Sequence, residues 1–129
     1  MSELNHARCV LAVNDLKKST EFYIEMLGLK LDFEIEGWSF LSRDRYSIML
    51  GHCPAPETVP ASELGNHNYY VYVDVDNVDD LYYEYKSKNV QLLGNIETKP
   101  WNMREFSVTT PDGHRIMFGT QVGSMPNVT

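Results

Sequence analysis

The chain says nearly the same thing twice. AVNDL at residues 12–16 lies over DVDNV at 74–78, with Val13 falling on Val75, and Ile48-Met49-Leu50-Gly51 returns as Ile116-Met117-Phe118-Gly119. Between these landmarks each copy runs in the same order: an alternating apolar run, a capping Asn or Asp, a helical stripe, then three more short runs. A match at both ends of a unit points to two tandem copies of one β-α-β-β-β module. The whole chain, 129 residues, is one domain's length and long enough to bury a core without disulfides or metal.

In the first copy Arg8 to Val13 reads as a strand, and Asn14-Asp15 caps a helix over LKKSTEFYIEML. Leu16, Ser19, Tyr23, Met26 and Leu27 share its buried face, and Gly28 supplies the left-handed stop. LKLDFEI, WSFLS and YSIML follow as strands. In the second copy Tyr69 to Val75 is a strand, and Asp76-Asn77 caps VDDLYYEYKSKN with an apolar stripe of Val78, Leu81, Tyr82 and Tyr85. Asn89 closes that helix; QLLGNI, REFSV and HRIMFG complete the unit, the last two joined by the turn Thr110-Pro111-Asp112-Gly113.

The modules therefore span about 6–52 and 69–120. The stretch 53–68, proline-bearing and without periodicity, connects them. A module this small exposes a sheet face it cannot cover alone. The expected fold class is α+β: two tandem βαβββ modules forming a curved mixed sheet, helices on the outer face, with a concave cleft on the other.

Composition narrows the partners. The net charge is −7 and the eleven Lys and Arg are scattered, which argues against nucleic acid and favours encounter with cations. No apolar run is long enough to cross a bilayer, and MSELNHARC lacks a basic start followed by an apolar segment. No membrane partner and a cytoplasmic location are the expectation. Cys9 and Cys53 have no metal-type spacing and read as reduced, packed thiols.

The stretches VNDLKKSTEFYIEMLGLKLDF and PWNMREFSVTTPDGHRIMFG resemble the glyoxalase / bleomycin-resistance / extradiol dioxygenase superfamily, the vicinal oxygen chelate fold. The resemblance covers about Arg8 to Gly119 and is nearest the bleomycin-resistance branch. It implies a homodimer in which swapped elements form two clefts that sequester an antibiotic without altering it. In metal-dependent members the resemblance places ligands on the first and last strands of each module, positions that here hold Arg8, Met49, Tyr70 and Met117. Arginine offers no lone pair and methionine is a soft thioether, so no divalent metal, cofactor or catalytic residue is expected. His6, two residues before Arg8 and on its face, is the histidine nearest those positions; His52, His67 and His114 are dispersed.

With Arg8, Met49, Tyr70 and Met117 turned into the cleft, alternation brings Val10, Tyr72 and Arg115 with them. The resemblance adds Glu105 and Ser107 to that face and leaves Phe106 and Val108 under the helix. Trp38 and Trp101 are candidate stacking walls. Such a lining suits a flat or aromatic organic molecule, although the two methionines could equally fill gaps in a core. Glu105, in an apolar cleft, needs a partner: Arg8, Arg115 or a cationic group of the ligand. The expected function is non-catalytic binding of a small molecule, with a bleomycin-type antibiotic as the candidate. The alternatives are a metal-dependent lyase, isomerase or dioxygenase of the same superfamily, and a structural or regulatory dimerisation module.

Overall fold

The computed structural model describes residues 2–54 and 69–123. The chain divides into two compact units, Met1–Pro60 and Ala61–Thr129. Most of the connector expected at 53–68 lies outside the described residues.

The first unit runs β1 (Cys9–Val13), α1 (Leu16–Glu21), β2 (Lys30–Ile35), β3 (Trp38–Arg43) and β4 (Tyr46–His52). Asp15 caps α1 by accepting the Lys18 amide N–H at 3.1 Å. The helical path does not stay α-helical to its end: Phe22–Met26 forms a π-helical turn, and the Leu27 N–H reaches back to the Phe22 carbonyl at 3.2 Å. Gly28, at φ 80°, then takes the left-handed conformation that releases the chain into β2. The sheet order is β1-β4-β3-β2, with β1 parallel to β4 and the other pairs antiparallel. Val13, Tyr23, Leu27, Leu41, Ile48 and Leu50 are all fully buried between helix and sheet. Each such side chain stabilises the fold by about 1.5–3 kcal/mol relative to exposure.

The second unit runs β5 (Val71–Asp74), α2 (Val78–Ser87), β6 (Glu97–Thr98), β7 (Met103–Thr109) and β8 (Arg115–Gln121). Its sheet order, β5-β8-β7-β6, with β5 parallel to β8, matches that of the first unit strand for strand. Asn77 caps α2 by accepting the Asp80 amide N–H at 3.1 Å, and Asn89 ends the helical segment at φ 59°. Beneath α2 lies an aromatic core. Phe106 and Phe118 stack at 5.4 Å between ring centroids, with Tyr82 edge-on to Phe106 and Tyr85 edge-on to both. Arg104 on β7 clamps Asp79 in the first turn of α2 with hydrogen bonds of 2.9–3.1 Å.

Two expectations need correcting. QLLGNI is not a strand: it touches β7 through a single bridge, Leu92 to Val108, and Gly94 at φ 77° turns the chain away before pairing resumes at Glu97–Thr98. The first strand of each copy starts later than the alternation suggested, at Cys9 and at Val71, so Arg8, Tyr69 and Tyr70 precede their strands. The α+β two-module expectation holds, with two four-stranded mixed sheets, one to each unit. No disulfide joins Cys9 and Cys53, and burial pushes the Cys9 thiol pKa up.

Candidate functional site

Alternation along the last strand of each unit sorts its side chains between two environments. Ile48 and Leu50 of β4, and Ile116 and Phe118 of β8, are buried on the helix side. Met49, Gly51, Met117 and Gly119 therefore face the other way. Parallel pairing sets Val10 beside Met49 and Tyr72 beside Met117. Antiparallel pairing on the far side sets Phe40 beside Met49 and Ser107 beside Met117.

The two glycines explain why the repeated phrase ends as it does. A Cβ on Gly51 would stand 2.7 Å from the Trp38 ring, which lies flat across that strand. A Cβ on Gly119 would collide with the hydroxyl and ring of Tyr72. Each glycine is the floor for an aromatic ring, and a methyl group there would lift it. In the first unit the ring comes from β3, where Trp38 is the register partner of Gly51. In the second it crosses from β5, and Glu105 is the register partner of Gly119.

Glu105 gives this face its charge. It is only 5% exposed, yet its Oε2 accepts a 2.7 Å hydrogen bond from the Tyr72 hydroxyl, whose ring spans Gly119 to reach it. The expected arginine partners are replaced here by a neutral phenol. Burial, then the hydrogen bond to Glu105, then the charges of Glu105 and Asp74 push the Tyr72 hydroxyl pKa far up, so it stays protonated and donating. Glu97, Glu105, Gly119 and Asp74 share one row across the sheet. Lys99 bridges Glu97 at 3.2 Å on that row.

In the second unit the geometry brings Tyr72, Glu105, Ser107, Arg115 and Met117 onto one sheet face. Tyr70 precedes the strand, and its ring meets the buried His114 ring edge-on at 6.3 Å. Trp101 stands in the turn before β7, about half-exposed. In the first unit Trp38 and Met49 share a face, whereas Arg8 is exposed ahead of β1. His6 bonds through Nε2 to Ser47 Oγ at 3.2 Å. Sequence reasoning did not single out Phe33, Ile35 and Phe40, which share the Trp38 face; Phe33 and Phe40 meet edge-on at 5.4 Å. The alternation in WSFLS was the signal for Phe40. Nothing in the sequence marked the others, because a bulge in β2 decides where they point.

A divalent metal does not fit the donors that are present. The strand positions beside the methionines are Val10 and Tyr72, and the positions two residues earlier are Arg8 and Tyr70. None supplies the nitrogen or carboxylate ligands that zinc, iron or manganese take. Among the described residues no three His, Cys, Asp or Glu side chains converge on a common point.

A two-module α+β chain with these sheets is a recognisable class. A sequence profile of the Glyoxalase/Bleomycin resistance protein/Dioxygenase superfamily matches residues 4–118, and the chain belongs to that superfamily. It is 28% identical over 126 residues to a bleomycin resistance protein of Geobacillus stearothermophilus, covering 88% of this chain and 95% of that one. It is 27% identical over 125 residues to the glutathione transferase FosA of Serratia marcescens, covering 97% and 84%. Its fold is similar to that of a bleomycin-binding protein from Streptomyces verticillus solved with copper(II)-bleomycin, with a TM-score of 0.71 and 19% identity over 96% of this chain and 100% of that one. No described helix is long and apolar enough to cross a membrane.

Proposed function

We propose that this chain binds and sequesters a small amphipathic organic molecule without transforming it, an antibiotic of the bleomycin type being the first candidate. The observation that carries the reading is chemical: each unit's sheet face presents a methionine, Met49 beside Val10 and Phe40 in the first and Met117 beside Tyr72 and Ser107 in the second, and each face is suited to apolar and aromatic contact. The named relative at 28% identity, a bleomycin resistance protein, supports it. Trp38, Met49, Tyr72, Glu105, Ser107, Arg115 and Met117 are the contacts, with Arg8, Tyr70 and Trp101 at the margins. The working form is a cytoplasmic homodimer that covers the exposed Val10, Phe33 and Ile35 of the first unit, which are 61%, 55% and 56% exposed in the single chain.

The relative named a glutathione transferase favours a second reading, an enzyme of the same superfamily; for a metal-dependent lyase, isomerase or dioxygenase, the side chains at the strand positions beside the methionines argue against it. One experiment separates them. Bleomycin is titrated against the tryptophan fluorescence of Trp38 and Trp101, and the drug is recovered and weighed by mass spectrometry. Saturable quenching, unaltered drug and protection of expressing cells are expected. A changed drug mass would establish the enzymatic reading, and neither quenching nor protection would overturn the proposal.

A further inference from the structure

The helix-side groove of the first unit, about 310 Å³ between α1 and the edge of β2 and β3, is lined by Leu16, Lys17, Thr20, Glu21, Glu34 and Ser39. Its two buried hydroxyls satisfy each other, Thr20 Oγ1 donating to Ser39 Oγ at 2.9 Å, and they ask for no ligand. The face built around Glu105 is different. There a buried carboxylate is matched to a donor that carries no charge.

We infer that the Tyr72 hydroxyl is an internal competitor for the Glu105 carboxylate, held in place until a cationic group of the ligand displaces it. The inference rests on the sequestering role proposed above and names the feature of the ligand that the second unit selects: an ammonium, amidinium or guanidinium group. Three observations combine. Glu105 is 5% exposed, and its hydrogen bond to the Tyr72 hydroxyl, at 2.7 Å, neutralises nothing. Of its neighbours on the row Glu97 is bridged by Lys99, and the exposed Asp74 across Gly119 is a carboxylate that raises the local negative potential. Gly119 puts bare backbone beneath the Tyr72 ring, which also meets the Tyr69 ring edge-on at 6.4 Å, so residue 119 presents no side chain in the way when the ring swings away.

The exchange needs no covalent step. A ligand N–H donor replaces the phenol O–H donor at Oε2, and the ring rotates off Gly119 to lie against the ligand instead. The phenol–carboxylate bond is charged on the acceptor side alone, whereas a cationic donor adds its own attraction to Glu105, so the exchange favours charged ligands over uncharged analogues. Tyr72 is thus a specificity-determining residue that charges every ligand the cost of its own displacement.

The test uses the full chain and two probes of the same shape, benzamidinium and uncharged benzamide, titrated by two-dimensional NMR. Removing the competing hydroxyl in Tyr72→Phe should tighten benzamidinium binding by about tenfold and benzamide binding by less, so that the preference for the cation widens. Glu105→Gln should abolish the preference for the cation. Gly119→Ala, which lifts the ring by a different route, should reproduce the direction of the Tyr72→Phe effect and guards against a folding defect in either variant. Weaker or unchanged benzamidinium binding in both Tyr72→Phe and Gly119→Ala overturns the inference, as does equal affinity for the two probes or binding of neither. Bleomycin is titrated in parallel. A gain for benzamidinium without any bleomycin binding removes the antibiotic and leaves the competitor, whereas bleomycin binding without the gain does the reverse.

Discussion

The two units share a strand order and a helix-side core, but they differ where they turn away from the helix. Register gives the correspondence position by position: Val10 answers to Tyr72, Met49 to Met117, Phe40 to Ser107, Trp38 to Glu105 and Ile35 to Glu97. Only the methionine is retained. One face is hydrocarbon and indole, and its counterpart is hydroxyl and carboxylate. The helix-side residues answer to packing and stay alike, with Ile48 and Ile116 equally buried at 0% exposure. The opposite faces have diverged, apolar in the first unit and acidic in the second.

The comparison can be broken at several strengths. Ile48→Ala and Ile116→Ala should each cost about 2–5 kcal/mol in urea unfolding, and to a similar degree. A large disparity would show that the matching topology does not reflect matching packing. Next comes the glycine pair. Gly119→Ala dislodges Tyr72 and leaves the Glu105 carboxylate buried without its donor, a loss of about 1–3 kcal/mol. Gly51→Ala only pushes aside the Trp38 ring, 38% exposed, and should cost less than about 1 kcal/mol. Equal costs, read from thermal or urea midpoints, would show that the Tyr72–Glu105 bond contributes nothing.

The smallest effect concerns a tie present in one unit alone. Arg104 holds the Asp79 carboxyl below the ordinary carboxylate range by hydrogen bonding and charge, whereas the first unit has Lys17 at the matching helix position. Asp79 is more acidic folded than unfolded, so its contribution is present above its unfolded pKa of 3.8 and disappears as pH falls through the lower folded value. The pair is exposed and its worth small. Asp79→Asn should slightly lower stability at neutral pH and flatten the decline below pH about 4, measured by acid unfolding.

The strand faces were legible before any coordinates because a period of two leaves little freedom. Phe106 and Val108 lie under the helix, and Glu105 and Ser107 lie opposite, as the superfamily resemblance around the PDG turn implied. The helix caps at Asp15 and Asn77 were equally plain. What was not legible depends on choices that composition does not encode. Arginine was the natural partner for Glu105 on grounds of charge, but a missing side chain at Gly119 opens a path along which Tyr72 arrives first. The run QLLGNI has strand-like residues and fails as a strand because Gly94 bends it at one point.

The bulge in β2 bears on how such a chain stays in solution. Leu31 pairs with Leu41 and Phe33 with Phe40, so Asp32 is the unmatched residue, and the kink sends Leu31 to the helix side while Phe33 and Ile35 go to the other. A straight edge strand bearing these three apolar residues would be a template for uncontrolled strand addition. With its ladder interrupted at Asp32 and Lys30, Asp32 and Glu34 interleaved along it, β2 offers a growing aggregate neither an unbroken row of backbone groups nor a continuous greasy stripe. The apolar surface on this edge is thereby withheld from amyloid-like growth.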